Sequence, residues 1–564
     1  MKKIIKNKTF AWYIYDWANS AYSTSLMVAI LPVYFVELFK SSYGDSVNIL
    51  GLNFTGSSSW SLVIALSTTI VALSSPFLGS LADIKKIKKI LLFTYTLFGS
   101  LFTVLMFFSV YTSSPWLFLS GCFFLSNIGY SGAIIWYNSF LPDIADRDKH
   151  NDISSKAFAL GYLGGGLLLV VHLVLIMIFM DTNHIDLVTR ICLASVGFWW
   201  FGFGLWTILV LDETKVNSKI NNENYSKLTI LNLSIRKTFY TLKNISQFKI
   251  LFIFLIAYLL FNDGIATVIS IAGAYGPDVL GINTLTNMIA IVLIQFIAIP
   301  GTLLTNKLAA KYTAIFSLKI CLIGWAIIIL LAIGFIPVKP TVNEDFDYLI
   351  SVNENDVYTL TKSLELTDSF KDSEWGNINL TSDTSKTYSE LKIDNELTYK
   401  ETMLFSSNIS NNSSFSLRII YKEKLNDYIG IDHLSMKTNG PLGWWPKTLR
   451  QLIWEPMGIN VNMQWIILGA FVGIFLGGSQ ALARSIFSVM TPKNRSAEFF
   501  SFFGFIGRVS SVFGPILFVL TTSFFDQRLG VFTILLLIFS GYILLFKVDV
   551  EKGKYKAIQE DNTI

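Results

Sequence analysis

A chain of 564 residues that is 52% hydrophobic and 15% charged is not built as a soluble globular protein, in which about a quarter of residues are charged. Mean hydropathy is +0.53 and aromatics reach 15%, as belts at two membrane interfaces require. Apolar runs of about 20 residues recur, so the class is a polytopic membrane protein made of helices, and a barrel is excluded. Nothing in the net charge of +5 marks a nucleic acid as partner. Cys122, Cys192 and Cys321 all lie in apolar runs and read as small packing residues, not as a disulfide framework.

Lys2, Lys3, Lys6 and Lys8 precede the first apolar run. The run is too long for a signal peptide, contains Asp16 and lacks a small-residue cleavage site, so it is a first span. At helical spacing Asp16, Asn19, Ser20, Ser23 and Thr24 form one stripe, and Ala21, Ser25 and Ala29 a second, suited to close packing. A carboxylate inside a span costs about 2.5–3.5 kcal/mol on insertion scales. Asp16 therefore either faces a bundle interior or lies shallow, snorkelling or pairing with a lysine.

Twelve spans follow the hydropathy, at about 10–38, 59–82, 89–111, 116–140, 157–180, 188–211, 248–274, 284–306, 314–336, 462–484, 497–522 and 529–547. Alternate connections are basic, with Lys85, Lys86, Lys88 and Lys89, then Arg147, Lys149 and Lys156, then Lys215, Arg236, Lys237 and Lys243, then Lys307 and Lys311, then Lys493 and Arg495. The short loops near Gly51, Asn183, Pro277 and Asp526 are nearly free of Lys and Arg, which places both termini in the cytoplasm.

The expected division is an N-terminal half (1–211), a cytoplasmic linker (212–247), a C-terminal half (248–336 and 461–564) and an extracytoplasmic insert (337–460). Leu228–Leu242 of the linker reads as a short basic interfacial helix. Asp263, Thr267 and Ser270 in the seventh span repeat the polar stripe of the first. Two six-helix halves of this kind place a solute site between them near mid-membrane. The insert holds more Asp and Glu than Lys and Arg. Alternating runs at Phe346–Val352, Val357–Thr361 and Ser414–Tyr421 predict a small β domain without catalytic or metal spacing. Gly443-Trp-Trp-Pro446 and Trp454 read as an aromatic re-entry at the interface.

Gly79-Ser-Leu-Ala-Asp83, followed by its lysines, closes the second span. A glycine that lets helices approach, an acid, and Lys85 and Lys86 make a charged latch. The N-terminus of the eleventh span, Ser496-Ala-Glu498, would favour Asp83 through its dipole, and Glu498 would meet a lysine of the loop. This arrangement resembles the cytoplasmic loop signature of the major facilitator superfamily. Tyr15-Asp-Trp-Ala-Asn-Ser-Ala-Tyr22, Asn138-Ser-Phe-Leu-Pro-Asp143, Gly161-Tyr-Leu-Gly-Gly165, Asn262-Asp-Gly264, Gln480-Ala-Leu-Ala-Arg-Ser485, Ala497-Glu-Phe-Phe500 and Gly514-Pro515 are similar to one branch of it. That branch is the bacterial facilitators related to the fungal, autophagy-linked vacuolar effluxers. The resemblance spans nearly the whole chain except the insert. It implies a twelve-helix facilitator fold, a transport role, amino acids as a suggested solute, and a bacterial inner membrane in preference to a vacuolar one. In the second half the signature departs, because Ala310 stands in Asn306-Lys-Leu-Ala-Ala-Lys311 where an acid is expected, which implies a weaker second latch.

Asp263 and Arg508, opposite charges at similar depth, suggest a buried pair, either a permanent one or one that opens when solute or a proton binds. Gln480 and Arg484 either select an anionic group or lie ordinarily at the interface. His172 and Gln295 read as helix–helix hydrogen-bond partners, and Gly161, Gly164, Gly165 and Gly166 as a close-packing or hinge surface. With Arg508 expected beside Asp263, Asp16 is the better proton carrier. The expected function is secondary transport of a small polar solute by alternating access, with Asp16, Asn19, Ser23, Asn262, Asp263, Gln480, Arg484 and Arg508 on the pathway and proton coupling open. The competing class is a membrane sensor that displays the insert to an external partner of unknown kind. Its discriminating test is deletion of about 340–440, with loss of phenotype but normal transport. No nucleotide loop, metal cluster or catalytic triad is visible, so neither an enzyme nor a cofactor is expected.

Overall fold

The computed structural model describes residues 7–49, 52–213, 227–243, 245–282, 284–354, 356–363, 379–381, 384–387, 391–422, 424–436 and 440–562. Lys2, Lys3, Lys6, Gly51 and Lys215 lie outside them.

Twelve helices are long and apolar enough to cross a membrane. Spans 1 to 6 are Lys8–Tyr43, Gly56–Lys85, Lys88–Tyr111, Pro115–Ile144, Arg147–Phe179 and Ile185–Val210. Spans 7 to 12 are Lys249–Ala272, Thr286–Lys311, Ala314–Ile333, Val461–Val489, Lys493–Phe524 and Gln527–Lys547. An even number of crossings puts both ends of the described chain on one face, here the terminal face. The insert, between spans 9 and 10, lies on the other. One aromatic-rich core around Trp12, Tyr22, Trp136 and Trp200 binds spans 1 to 6. A second, around Phe254, Trp325, Phe487 and Phe499, binds spans 7 to 12. Gly161, Gly164 and Gly165 of span 5 lie against span 1, where a Cβ on Gly164 would stand 2.6 Å from the Trp17 ring and one on Gly165 2.7 Å from Thr24 Oγ1.

Three helices depart from the hydropathy pattern. Span 5 begins about ten residues before its apolar run, because its first turns carry Asp152, Ser154 and Ser155, and the two serines are buried against the other half. Span 1 widens to a π-helix over Tyr22–Ile30. Span 11 is not continuous as expected. It divides into Ser496–Val509 and Phe513–Phe524. Pro515 supplies no N–H, and its ring would clash with the Ser511 carbonyl of an unbroken helix.

The linker helix, Lys227–Lys243, packs on the end of span 2, where Thr238 Oγ1 and Ser80 Oγ lie 2.8 Å apart. A last helix, Val550–Asn562, runs along the terminal face. The insert is not purely β. Its five-stranded sheet runs in the order Glu396–Leu397, Tyr358–Lys362, Tyr348–Val352, Ser416–Tyr421, Lys424–Ile429. The central pair is parallel, with Tyr348 opposite Leu417, and a parallel pair needs a long crossover. The helix Tyr399–Asn412 provides part of it and buries Phe405 and Ile409 against Tyr348, Ile350 and Leu417. Its start was readable, since Thr398 and Glu401 form a capping box. Behind the insert, Trp445 Nε1 donates to the Leu330 carbonyl at 2.8 Å and Trp454 Nε1 to that of Gly334 at 3.3 Å, fastening Trp444–Trp454 over span 9.

Candidate functional site

Between the halves lies a cavity of about 360 Å³. Spans 1, 4, 5, 7, 10 and 11 all contribute to its wall. Asp16, Asn19, Ser23, Asn262, Gln480, Arg484 and Arg508, drawn from four of those spans, all face it, and Asp263 does not. Tyr162 Oη donates to Gln480 Oε1 at 2.9 Å and so joins spans 5 and 10 within the wall.

The charges pair differently from the sequence expectation. Asp16 Oδ2 accepts from both Nη1 and Nη2 of Arg484 at 3.0 Å, an ion pair across the two halves. Arg484 also donates to Ser154 Oγ (2.9 Å), the Ser154 carbonyl (3.0 Å) and Asn138 Oδ1 (3.2 Å), so all its N–H groups are engaged. The guanidinium lies 4.1 Å from the Phe158 ring centroid and 4.6 Å from that of Trp12. Arg484 is therefore neither an interfacial arginine nor available to an anion in this state, and Asp16 is not the unpaired acid of the pathway.

The expected Asp263–Arg508 pair is absent. The break in span 11 presents a fresh helix N-terminus, and Asp263 caps it: Gly514 N donates to Asp263 Oδ1 at 3.0 Å. Thr267 Oγ1 donates to the same oxygen at 3.4 Å, and Asn262 Nδ2 donates to Ser510 Oγ at 2.6 Å. Asp263 Oδ2 is buried without a partner among the described residues. Arg508, on the helix before the break, faces the cavity and makes no ion pair or hydrogen bond among them.

A seam at the terminal face closes the cavity on that side. Asp83 accepts from the backbone N–H groups of Ala497 (3.1 Å) and Glu498 (2.8 Å), its charge on the dipole of span 11. Gly79 makes the approach possible, since a Cβ there would lie 2.6 Å from the Ala497 carbonyl oxygen. Lys85 and Lys86 form no ion pair among the described residues, Lys86 ending span 2 in a left-handed turn (φ 56°). Glu498 instead meets Arg495 (3.0 Å) and Lys237 of the linker helix (3.8 Å). Lys88 carries the loop's contribution, bonding Asp143 (2.5 Å) and Ser496 Oγ (2.9 Å). On the pseudo-equivalent side Asn306 Nδ2 donates to Asp152 Oδ1 (3.0 Å), with no acid at Ala310.

Sequence reasoning missed Arg147, which donates to the carbonyls of Val489 (2.6 Å) and Thr491 (2.8 Å) and to Asp561 (2.7 Å). Its basic loop was visible, but partners more than 340 residues away were not. Gln295 Oε1 is buried without a partner among the described residues. His172 bridges spans, its ring nitrogens 2.6 Å from Ser25 Oγ and 2.8 Å from Ser195 Oγ.

Twelve spans in two packed halves, with a cavity between them, have the architecture of a multi-pass membrane protein of the major facilitator fold. The family profile "Vacuole effluxer Atg22 like" matches residues 5–347 and 436–558, and the chain belongs to that family. The uncharacterized MFS-type transporter YxiO of Bacillus subtilis is 30% identical over 317 residues, 56% of this chain and 70% of that protein. Autophagy-related protein 22 of Kluyveromyces lactis is 31% identical over 108 residues, which cover 19% of this chain and 22% of that one. Among solved structures, the facilitator FucP in its outward conformation overlays with a TM-score of 0.53 at 8% identity, covering 97% of this chain and 98% of FucP, a likeness of fold.

Proposed function

We propose that the chain moves a small polar solute through this cavity by alternating access and that the structure is the state closed at the terminal face. The observation that carries the reading is the position of the bonds between the halves. Asp16–Arg484 joins the halves in the cavity wall, and Asp83–Ala497/Glu498, Lys88–Ser496 and Arg147–Val489 join them at the terminal face. The basic connections favour a cytoplasmic position for that face, and the bacterial relative favours a bacterial inner membrane. Amino acids are the first solute class to test, on the strength of the resemblance to the fungal effluxers. Proton coupling falls to Asp263 and not Asp16, because Asp263 has no cationic partner to lose on protonation.

The test needs no knowledge of the solute. Ser23 lines the cavity, while Cys122, Cys192 and Cys321 are buried. A Ser23→Cys protein in oriented vesicles should react with a membrane-impermeant maleimide from the insert side. Adding Asp83→Ala should make it reactive from the terminal side as well. Labelling from one side only in both proteins would refute alternating access.

A further inference from the structure

We infer that the cavity takes a monoanionic organic solute, with its acidic group on Arg508 and its apolar body against Phe261, Phe500 and Phe503. This rests on the transport reading of the cavity. Apart from tyrosines, three ionisable side chains line it, namely Asp16, Arg484 and Arg508. The first two neutralise each other, and Arg484 has no N–H left to offer. The remaining charge is one guanidinium. Arg508 stands roughly 18 Å along its helix from Ser496, and the second helix of span 11 lies beyond the break on its other side, so its side chain does not reach an interface. A cation held at that depth without a counter-ion is costly, and an anion in the cavity is the group that would offset it. A guanidinium binds a carboxylate or sulfonate through paired, charge-assisted hydrogen bonds, which a neutral hydroxyl cannot match.

The surroundings limit the solute further. Among the described residues no acid faces the cavity unpaired, since Asp16 is committed to Arg484 and Asp263 is turned to the backbone of Gly514. An ammonium group would find only neutral acceptors such as Asn19 and Gln480. A dianion would leave one negative charge unbalanced. Part of the cavity wall is aromatic. Tyr258 stacks on Phe503 at 4.4 Å, and Phe500 lies edge-on to Phe503 at 6.1 Å. Tyr258 Oη is close enough to Gly507 that a Cβ there would meet it at 3.2 Å, which sets a hydroxyl beside the guanidinium's own turn of helix.

The test uses the purified full-length protein and three probes with one carbon skeleton: 4-methylpentanoate, leucine and 4-methylpentanamide. The expected result is that the carboxylate binds more tightly than the amide by about tenfold or more, the factor a charge-assisted hydrogen bond carries. Leucine should fall between them. Arg508→Gln should erase the preference and Arg508→Lys should keep its direction. Ser23→Cys labelling confirms in each variant that the cavity is still formed. Equal binding of carboxylate and amide, no binding of any probe, leucine binding best, or a preference that survives Arg508→Gln would each overturn the inference. If Ser23 still alternates between sides in those cases, the transport reading stands and only the solute class falls. If Ser23 does not alternate, the transport reading itself fails.

Discussion

Asp16 and Asp263 begin similar polar stripes in spans 1 and 7, yet the fold uses them differently. Asp16 is 6% exposed and Arg484 3%, so neither charge is relieved by water, and removing one partner strands the other. Asp16→Asn is expected to cost about 3–5 kcal/mol, read as a lowered thermal unfolding midpoint, with part recovered in the Asp16→Asn, Arg484→Gln double variant. Asp263→Asn leaves no cation unpaired and still offers an oxygen to Gly514 N. It should fold normally and abolish uptake driven by a pH gradient while leaving solute exchange intact. Retained pH-driven uptake would remove Asp263 from the coupling role. Both acids were legible in the sequence, because a carboxylate in an apolar run stands out. Their partners were not. Arg484 is 468 positions from Asp16, and the cap on Gly514 exists only because Pro515 breaks the helix.

At the scale of elements, the insert meets the membrane body at a joint built around His433 and Arg450. His433 Nδ1 accepts from Ser435 N at 3.2 Å and lies 2.7 Å from Ser435 Oγ, while Arg450 donates to the carbonyls of Ser435 and Pro337. Burial, opposed by the Asp347 charge and aided by that of Arg450, pushes the His433 imidazole below its usual value near 6.5. The folded joint therefore favours the neutral ring. Its contribution is complete above the unfolded value and is lost as pH falls below about 6.5 and through the lower folded value. Protection factors for amide exchange across 413–422, 424–436 and 441–454, which are corrected for the intrinsic pH dependence of exchange, should fall as pH drops below about 6.5, and His433→Gln should flatten that dependence. Three strands of the insert were readable from their alternation, whereas Glu396–Leu397 and Lys424–Ile429 of the same sheet were not. Its helix was passed over because the capping signal at Thr398 and Glu401 sits in a stretch of low hydrophobicity.

For the whole molecule, the twelve spans and the facilitator fold were legible because a bilayer demands long apolar runs. The π segment of span 1 and the division of span 11 were not, since each depends on local backbone geometry, and the seam was legible only in part: Asp83 on the start of span 11 could be read, whereas the long-range partners of Lys88, Arg147 and Asp561 could not. The last helix shows this most clearly. Asp561 accepts from Arg147 of the first half and from the backbone N–H groups of Lys493 (3.1 Å) and Asn494 (3.1 Å) of the second. Glu560 bonds Arg495 at 3.0 Å and Lys554 bonds Asp148 at 2.6 Å, so one helix straps both halves. Asp561→Ala should release about 1 kcal/mol of that strap and raise terminal-side labelling of Ser23→Cys by roughly fivefold. Unchanged labelling would make the strap ornamental to the closed state.

The lone guanidinium also has an electrical consequence. With Asp263 protonated, an empty cavity that turns from one face to the other carries a net positive charge through part of the membrane field, whereas one holding a monoanion carries none. A unit charge crossing the full field is worth about 2.3 kcal/mol per 100 mV. Membrane voltage should therefore govern the return of the empty carrier and leave the loaded step nearly untouched.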